Sequence, residues 1–346
     1  MTTIGIVANP SSGKDVRRLV ARASVFDNPE KQAIVQRVLA GIEGVLGTGE
    51  WRLAYLDDGH GIVRHAVAEV LGDPTGHGRA APIMSAETGS ALDTTRAARA
   101  LAELPSQVNL TLGGDGTNRA FALGWRDACL IPISTGTNNV FPRLQEATVA
   151  GAAAALVAAG IIPAAQVVEQ QKLIHVEIEG ERDDLALIDA VLVDERFVGS
   201  RALLNPENLR SALLTVADPA AVGITAIGGL LSPLTSRTDR GLILEFGTGP
   251  GGGTVRSPIA PGYYRDVQIR DHRTIGLGQS LRCTGPGVLA FDGERERVLK
   301  PGQQAVLRVE RSGPLVVDVP ATMRLAAEKG CFLRSANAPA AAALSS

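Results

Sequence analysis

Thr111-Leu112-Gly113-Gly114-Asp115-Gly116-Thr117-Asn118-Arg119 is the stretch on which the reading of this chain turns. It follows an extended apolar run, Val108 to Leu112, and leads into a helical one, Ala120 to Trp125. Glycines at 113, 114 and 116 have no Cβ, so the backbone can turn sharply and approach a ligand closely. Consecutive N–H groups at a strand-to-helix turn cradle an anion, and the helix N-terminus adds a favourable dipole. A loop that only bound phosphate would be ill served by Asp115, whose charge repels it. The carboxylate makes sense if it orders a metal ion or takes a proton from an acceptor hydroxyl. The plain alternative is a Gly-Asp-Gly turn between two elements.

Two further segments share this setting. Asn9-Pro10-Ser11-Ser12-Gly13-Lys14 follows the strand-like run Ile4 to Ala8. Ile131-Pro132-Ile133-Ser134-Thr135-Gly136-Thr137-Asn138-Asn139-Val140-Phe141-Pro142 follows a second apolar stretch. All three place small, hydroxyl or amide residues directly after a strand. In an open parallel sheet, strand carboxyl ends share one edge, and ligands bind there. The expected phosphate contacts are therefore Asn9, Pro10, Ser11, Ser12 and Lys14, then Gly113, Gly114, Gly116, Thr117 and Asn118. Thr135, Gly136, Thr137, Asn138 and Asn139 complete the set, with Asp115 as the catalytic candidate. Lys14 is no Walker A lysine, because no glycine stands five residues before Gly13 and Asp15 replaces the required Ser or Thr.

These residues resemble the superfamily of NAD kinases and diacylglycerol or sphingosine kinases. Asn9 to Lys14 is similar to the first nucleotide-contacting loop of the lipid-kinase branch, and Gly113 to Thr117 is the GGDGT signature of both branches. Pro132 to Phe141 resembles the lipid-kinase loop after the next strand, with one extra residue. Phe291-Asp292-Gly293-Glu294 resembles a DGE motif of the second domain. The overall pattern is most similar to NAD kinase-like proteins of the acetoin catabolism protein X type. The resemblance implies an ATP-dependent phosphotransferase with Mg²⁺, its site in an interdomain cleft, and a homodimer or larger assembly. ATP and Mg²⁺ come from the resemblance alone, as does a role for Asp292 and Glu294 at the acceptor or metal. Where NAD kinases carry an Asn-Glu pair that grips the dinucleotide, this chain has Ile188-Asp189, so Asp189 joins the acceptor-side candidates. The Thr-Gly-Ser-Thr-Ala-Tyr-like segment of those enzymes has no clear counterpart. NAD is the best-named small-molecule acceptor; a lipid acceptor, or a nucleotide sensor without catalysis, are the rival readings.

At 346 residues the chain has room for two domains with cores of their own. The alternation of strands and helices before residue 165 implies a mostly parallel, Rossmann-like α/β sheet covered on both faces. Its expected elements include helices over Val16 to Ala23, Lys31 to Val45 and Gly61 to Leu71, a short strand at Pro82 to Met84, and a helix over Thr94 to Leu104 capped by Asp93. Val149 to Ile162 reads as a buried Ala-rich helix, too short to span a bilayer. From 166 to 334 short strand candidates separated by Gly and Pro turns imply a β-rich, sandwich-like acceptor domain, with a helical interlude over Leu213 to Leu231. Leu315 to Val319 is its final strand, Thr322 to Lys329 a terminal helix, and residues 335–346 a flexible tail.

The net charge of −2 gives no electrostatic case for nucleic acid or an anionic membrane, and 3% aromatic residues leave little for base stacking. No amphipathic membrane-binding helix or basic surface segment stands out, and stable membrane insertion is not expected. Three cysteines without pairing, and no leader sequence, suit a reduced cytoplasmic protein. Gly247 to Gly252 spells G-x-G-x-x-G but leads into Thr254-Val255-Arg256-Ser257-Pro258, no helix start, so the Rossmann mechanism fails there. Asp292-Gly293 also reads as a simple hairpin turn. His60 and His65 with Asp57 and Asp58 lack metal-ligand spacing and read as surface residues, leaving the metal ligands unknown.

Overall fold

The computed structural model describes residues 1–13, 26–49, 51–72, 78–83, 87–104, 106–136, 138–194 and 205–333. Lys14, Thr137, Met84, the helix expected over Val16 to Ala23 and the tail lie outside them. The first part is built from β1 (Thr2–Ala8), α1 (Asn28–Leu46), β2 (Trp51–Leu56), α2 (Ile62–Leu71), β3 (Ala80–Ile83), α3 (Ala91–Glu103), β4 (Val108–Gly113), α4 (Asp115–Gly124), β5 (Cys129–Ser134) and α5 (Ala147–Ala158). Strands β3-β2-β1-β4-β5 lie side by side and all run parallel. Being covered on both faces, these strands are nearly continuous apolar runs rather than alternating ones. α1, α2 and α5 pack over one face with Ile4, Ile6, Val38 and Leu39, while α3 and α4 cover the other with Val7, Leu101 and Phe121.

α5 explains its own alanines. It crosses α1 so closely that a Cβ at Gly41 or Gly151 would strike the backbone oxygen of Thr148 or Val38. It starts earlier than its apolar run suggested, because Glu146 caps it at Val149 N–H, and ends earlier, because the chain turns at Gly160 with positive φ. α3 likewise starts earlier than expected. Ser90 is its N-cap, accepting from Leu92, and Asp93 instead reaches back to the N–H groups of Thr88 and Gly89.

After α6 (Ala164–Val167) and β6 (Val168–Gln170) the chain leaves this sheet. β7 (Leu173–Ile178), β8 (Asp184–Ala186), β14 (Ser280–Thr284) and β17 (Gln304–Glu310) form one antiparallel sheet, in the order β14-β17-β7-β8. A larger antiparallel sheet runs β12-β13-β11-β10-β9-β15-β16. Its strands are β9 (Asp189–Val193), β10 (Leu209–Leu214), β11 (Arg240–Phe246), β12 (Gly253–Ala260), β13 (Tyr263–Gly276), β15 (Gly287–Phe291) and β16 (Glu294–Leu299). The two sheets share a core of Val176, Leu192, Leu213, Ile243, Leu289 and Leu307. The far face of the larger sheet is closed by α7 (Ile224–Leu231), packed on Leu242, Leu244 and Val267.

The sandwich is therefore as β-rich as its turns implied, with corrections in detail. Leu209–Leu214 is a strand, so the helical interlude shrinks to α7. The apolar run Ala186 to Val193 is divided between β8 and β9, which part at Leu187-Ile188. The Gly247–Gly252 segment joins β11 to β12, which both pair antiparallel with β13, and no helix follows it. Most consequentially, β18 (Leu315–Val317) does not belong to the sandwich. It pairs parallel with β5 and antiparallel with β6, and α8 (Val319–Glu328) then packs beside α5.

Candidate functional site

β1 sits between β2 and β4, so the chain winds one way from β1 through α1 to β2 and the other way to β4 and β5. The carboxyl ends of β1 and β4 thus flank a topological switch point, where an open α/β sheet leaves a crevice. The first loop and the Gly-Gly-Asp-Gly turn leave the sheet here. Asn9 N–H donates to the Leu112 carbonyl (3.0 Å), and Asn9 Nδ2 donates to Thr117 Oγ1 (2.8 Å). Ser12 and Thr135 share a hydroxyl–hydroxyl hydrogen bond of 2.8 Å, and Thr135 N–H reaches the Gly113 carbonyl. Three segments far apart in sequence are thereby tied edge to edge.

The third loop folds on itself. Ser134 Oγ donates to the Gly136 carbonyl (2.6 Å), and Asn139 Nδ2 donates to Ser134 Oγ (2.7 Å). Asn139 leans over the turn at Gly114, where an added Cβ would come within 2.8 Å of its Oδ1. Asp115, half-buried at the start of α4, accepts from Phe141 N–H (2.8 Å) and Val140 N–H (3.1 Å). Its carboxylate therefore fixes the third loop as well as standing at the turn. Asn118 is fully buried and holds the turn from behind, accepting from Thr111 Oγ1 and donating to the Gly114 carbonyl. α4 has Gly114 as N-cap, without a side-chain cap. An uncapped helix start offers its first N–H groups to an anion.

The sandwich approaches α4 through β8, β9 and the β15–β16 turn. Leu185, Leu187 and Ile188 pack on Ala122, with Val140 and Phe141 beside them. Asp292, expected near the acceptor or metal, is buried with φ 51° and takes the N–H groups of Leu187, Ile188 and Asp189 at 2.7–3.2 Å. It pegs the β8–β9 corner. Burial pushes its carboxyl up to about 6, while those amides and the Arg119 guanidinium limit the rise. Asp189 is buried at the same corner. Glu294 is the exposed acid of this group. A Cβ on Gly116 would lie 2.8 Å from its Oε1, which puts it over the first turn of α4.

A match to the C-terminal domain model of acetoin catabolism protein X covers residues 172–312. The acetoin catabolism protein X of Cupriavidus necator is 35% identical over 351 residues, spanning 98% of this chain and 96% of the relative. The chain belongs to the acetoin catabolism protein X family. Among solved structures, yeast NADH kinase complexed with NADH superposes with a TM-score of 0.50 at 14% identity, covering 97% of this chain and 89% of that one. A putative diacylglycerol kinase from Bacillus anthracis matches at TM-score 0.45 and 11% identity, over 91% and 97%. This acetoin catabolism protein X relative thus has the kinase-like fold: a mostly parallel sheet followed by an antiparallel β-rich region.

In this family member two site residues were invisible in the sequence. Lys31 opens the α1 run and reads as a helix residue, yet it is fully buried with Nζ on the first loop. Arg119 closes the signature stretch, and its guanidinium donates to the Leu185 carbonyl and to Asp184 Oδ1, both at 2.7 Å, with the Phe291 ring beneath it. It locks α4 to the sandwich. The only signal for Arg119 was a cation ending the signature stretch, and Lys31, far past the first loop in sequence, had none. Among the described residues no cluster of three His, Cys, Asp or Glu side chains could hold a metal, and no helix is long and apolar enough to cross a membrane.

Proposed function

We propose that this chain is a Mg-ATP-dependent phosphotransferase acting on a hydroxyl acceptor between the parallel sheet and the sandwich. The observation that carries this reading is the hydrogen-bonded convergence of all three strand-end loops at the switch point, through Asn9–Thr117, Ser12–Thr135 and Asp115–Phe141. Nucleotide phosphates would lie on the amides of these turns and the uncapped start of α4. Mg²⁺ keeps most of its shell as water and phosphate and needs only one or two carboxylates, which suits a site whose described residues hold no three-ligand cluster. Asp115 and Glu294, the acids flanking Gly116, are the residues that would hold it. When bound, the ion neutralises charge on the transferring group. Asp115 would orient the acceptor hydroxyl or take its proton, and Arg119 keeps the acceptor side in register with α4. NAD is the first acceptor to test, since the fold neighbour is an NADH kinase. A lipid hydroxyl is the second, favoured by the first and third loops.

A regulatory nucleotide sensor is supported by a different observation. The acids of both motifs, Asp115 and Asp292, hold backbone N–H groups. The deciding experiment incubates purified protein with Mg-ATP and a metabolite pool containing NAD and diacylglycerol, read by mass spectrometry. A phosphorylated product from wild type, lost in Asp115→Asn while ATP still raises the melting temperature, supports the kinase. ATP stabilisation with no product from any pool favours the sensor, and product from Asp115→Asn at the wild-type rate removes Asp115 from the mechanism.

A further inference from the structure

Lys31 occupies a place that ordinarily disfavours lysine twice over. It is fully buried, and it lies in the first turn of α1, where the helix dipole opposes a cation. Four neutral oxygens lie within hydrogen-bond distance of its ammonium. Nζ donates to the carbonyls of Ser12 (2.8 Å), Asn9 (3.0 Å) and Pro10 (3.0 Å) and to Asn28 Oδ1 (3.2 Å). Three of these four are backbone carbonyls of the one turn from Asn9 to Ser12, drawn to the side of α1. Drawing the carbonyls to that side turns their negative ends away from the crevice, where Asn9 and Ser12 meet Thr117 and Thr135. A loop of free backbone would present some carbonyls to an incoming phosphate and repel it. Backbone carbonyls gathered on one centre are also how proteins replace the hydration shell of a potassium ion.

We propose that Lys31 is a positioning residue, a cation tethered by its own side chain, that presets the first loop for anion binding by holding its carbonyl oxygens back. The inference rests on the nucleotide-binding reading above, but the set of oxygens itself can be tested separately. It predicts an uncommon rescue: with the side chain cut back, a free monovalent cation of ammonium or potassium size takes over the oxygens. A merely space-filling lysine would give no such response.

The experiment compares wild type, Lys31→Ala and Lys31→Met in ammonium, potassium, lithium and tetramethylammonium chloride at equal ionic strength. Melting temperature and Mg-ATP binding by calorimetry are both read. In lithium, Lys31→Ala is expected to bind Mg-ATP roughly 10- to 100-fold more weakly than wild type, the loss of charged hydrogen bonds to the loop. Ammonium or potassium should recover about tenfold or more of it and raise the melting temperature, with tetramethylammonium inert. Lys31→Met, which fills the space without a charge, should lose affinity and show no recovery in any salt. Equal Mg-ATP affinity in wild type and Lys31→Ala overturns the proposal, as does a loss that is identical in all four salts. A Lys31→Ala chain that stays unfolded in every salt overturns it too, provided Lys31→Met is folded and binds like wild type. Should wild type itself bind no Mg-ATP, the nucleotide reading fails. A salt-selective melting shift in Lys31→Ala would then uphold the tethered cation, and its absence would sink that as well.

Discussion

The turn at Asp115 and the turn at Asp292 are written in nearly the same letters, Gly-Asp-Gly and Asp-Gly-Glu, but the fold uses them differently. Asp115 stands half-buried at an open strand edge, and its amide partners, Val140 and Phe141, belong to a neighbouring loop of the same crevice. Asp292 is buried between the sandwich and α4, and its partners are three successive amides of a corner about a hundred residues earlier. Both acids hold backbone amides, but Asp115 is half-buried at the crevice and Asp292 is shut inside the protein. Burial, rather than the local motif, separates the acid proposed as reagent from the peg.

The sharpest break of that contrast is in turnover. Asp115→Asn should lower phosphoryl transfer by about a thousandfold, within the range for losing a positioned acid–base group, with a stability change below about 1 kcal/mol. A chain that loses as much stability as activity would put Asp115 in the same class as Asp292. Next in size, Asp292→Ala should destabilise the fold by about 3 kcal/mol in urea titration, because three buried amides lose their acceptor. Titration sharpens this prediction. The folded carboxyl titrates near 6 against an ordinary 3.8, so the folded chain holds the extra proton between those values. The stability it confers is complete below about 4 and falls away as pH rises through 6, by about 3 kcal/mol. Wild type should accordingly lose ground against Asp292→Asn between pH 4.5 and 7.5.

A smaller effect is expected from Ser12→Ala, which removes one hydroxyl bridge between loops. It should cost about 1 kcal/mol of nucleotide affinity, roughly fivefold in Kd by calorimetry, and leave the melting temperature within a degree or so. Smallest of all is Gly116→Ala. Replacing a glycine in the first turn of α4 should leave stability equal or raise it by up to about 1 kcal/mol. Its Cβ displaces Glu294, so a fall in turnover without a fall in stability would place that glutamate with Asp115 rather than Asp292.

The strand-end loops were readable because they are local: small residues after apolar runs, with the sheet edge supplied by general rules of α/β topology. The same holds for the short, turn-bounded strands of the sandwich. What escaped was non-local. Nothing in the spacing of Lys31 says that its ammonium reaches back some twenty residues, nor that Arg119 meets Asp184. Asp292 was read as both a hairpin turn and an acceptor-side acid, and only its burial against Leu187 to Asp189 shows the peg. β18 was grouped with the sandwich because an apolar Leu-Val-Val looks the same in either sheet, and only its pairing with β5 and β6 assigns it.

That last pairing makes the sandwich a guest inside another chain fold. It departs after β6 and comes home at β18, and the family match over residues 172–312 lies between those two crossings. Side by side and hydrogen-bonded, the outgoing and returning strands bring the two crossings to one place on the edge of the parallel sheet. A protein cut at residue 165 would lack both the closing strand and α8, so a faithful dissection removes the middle and rejoins the ends.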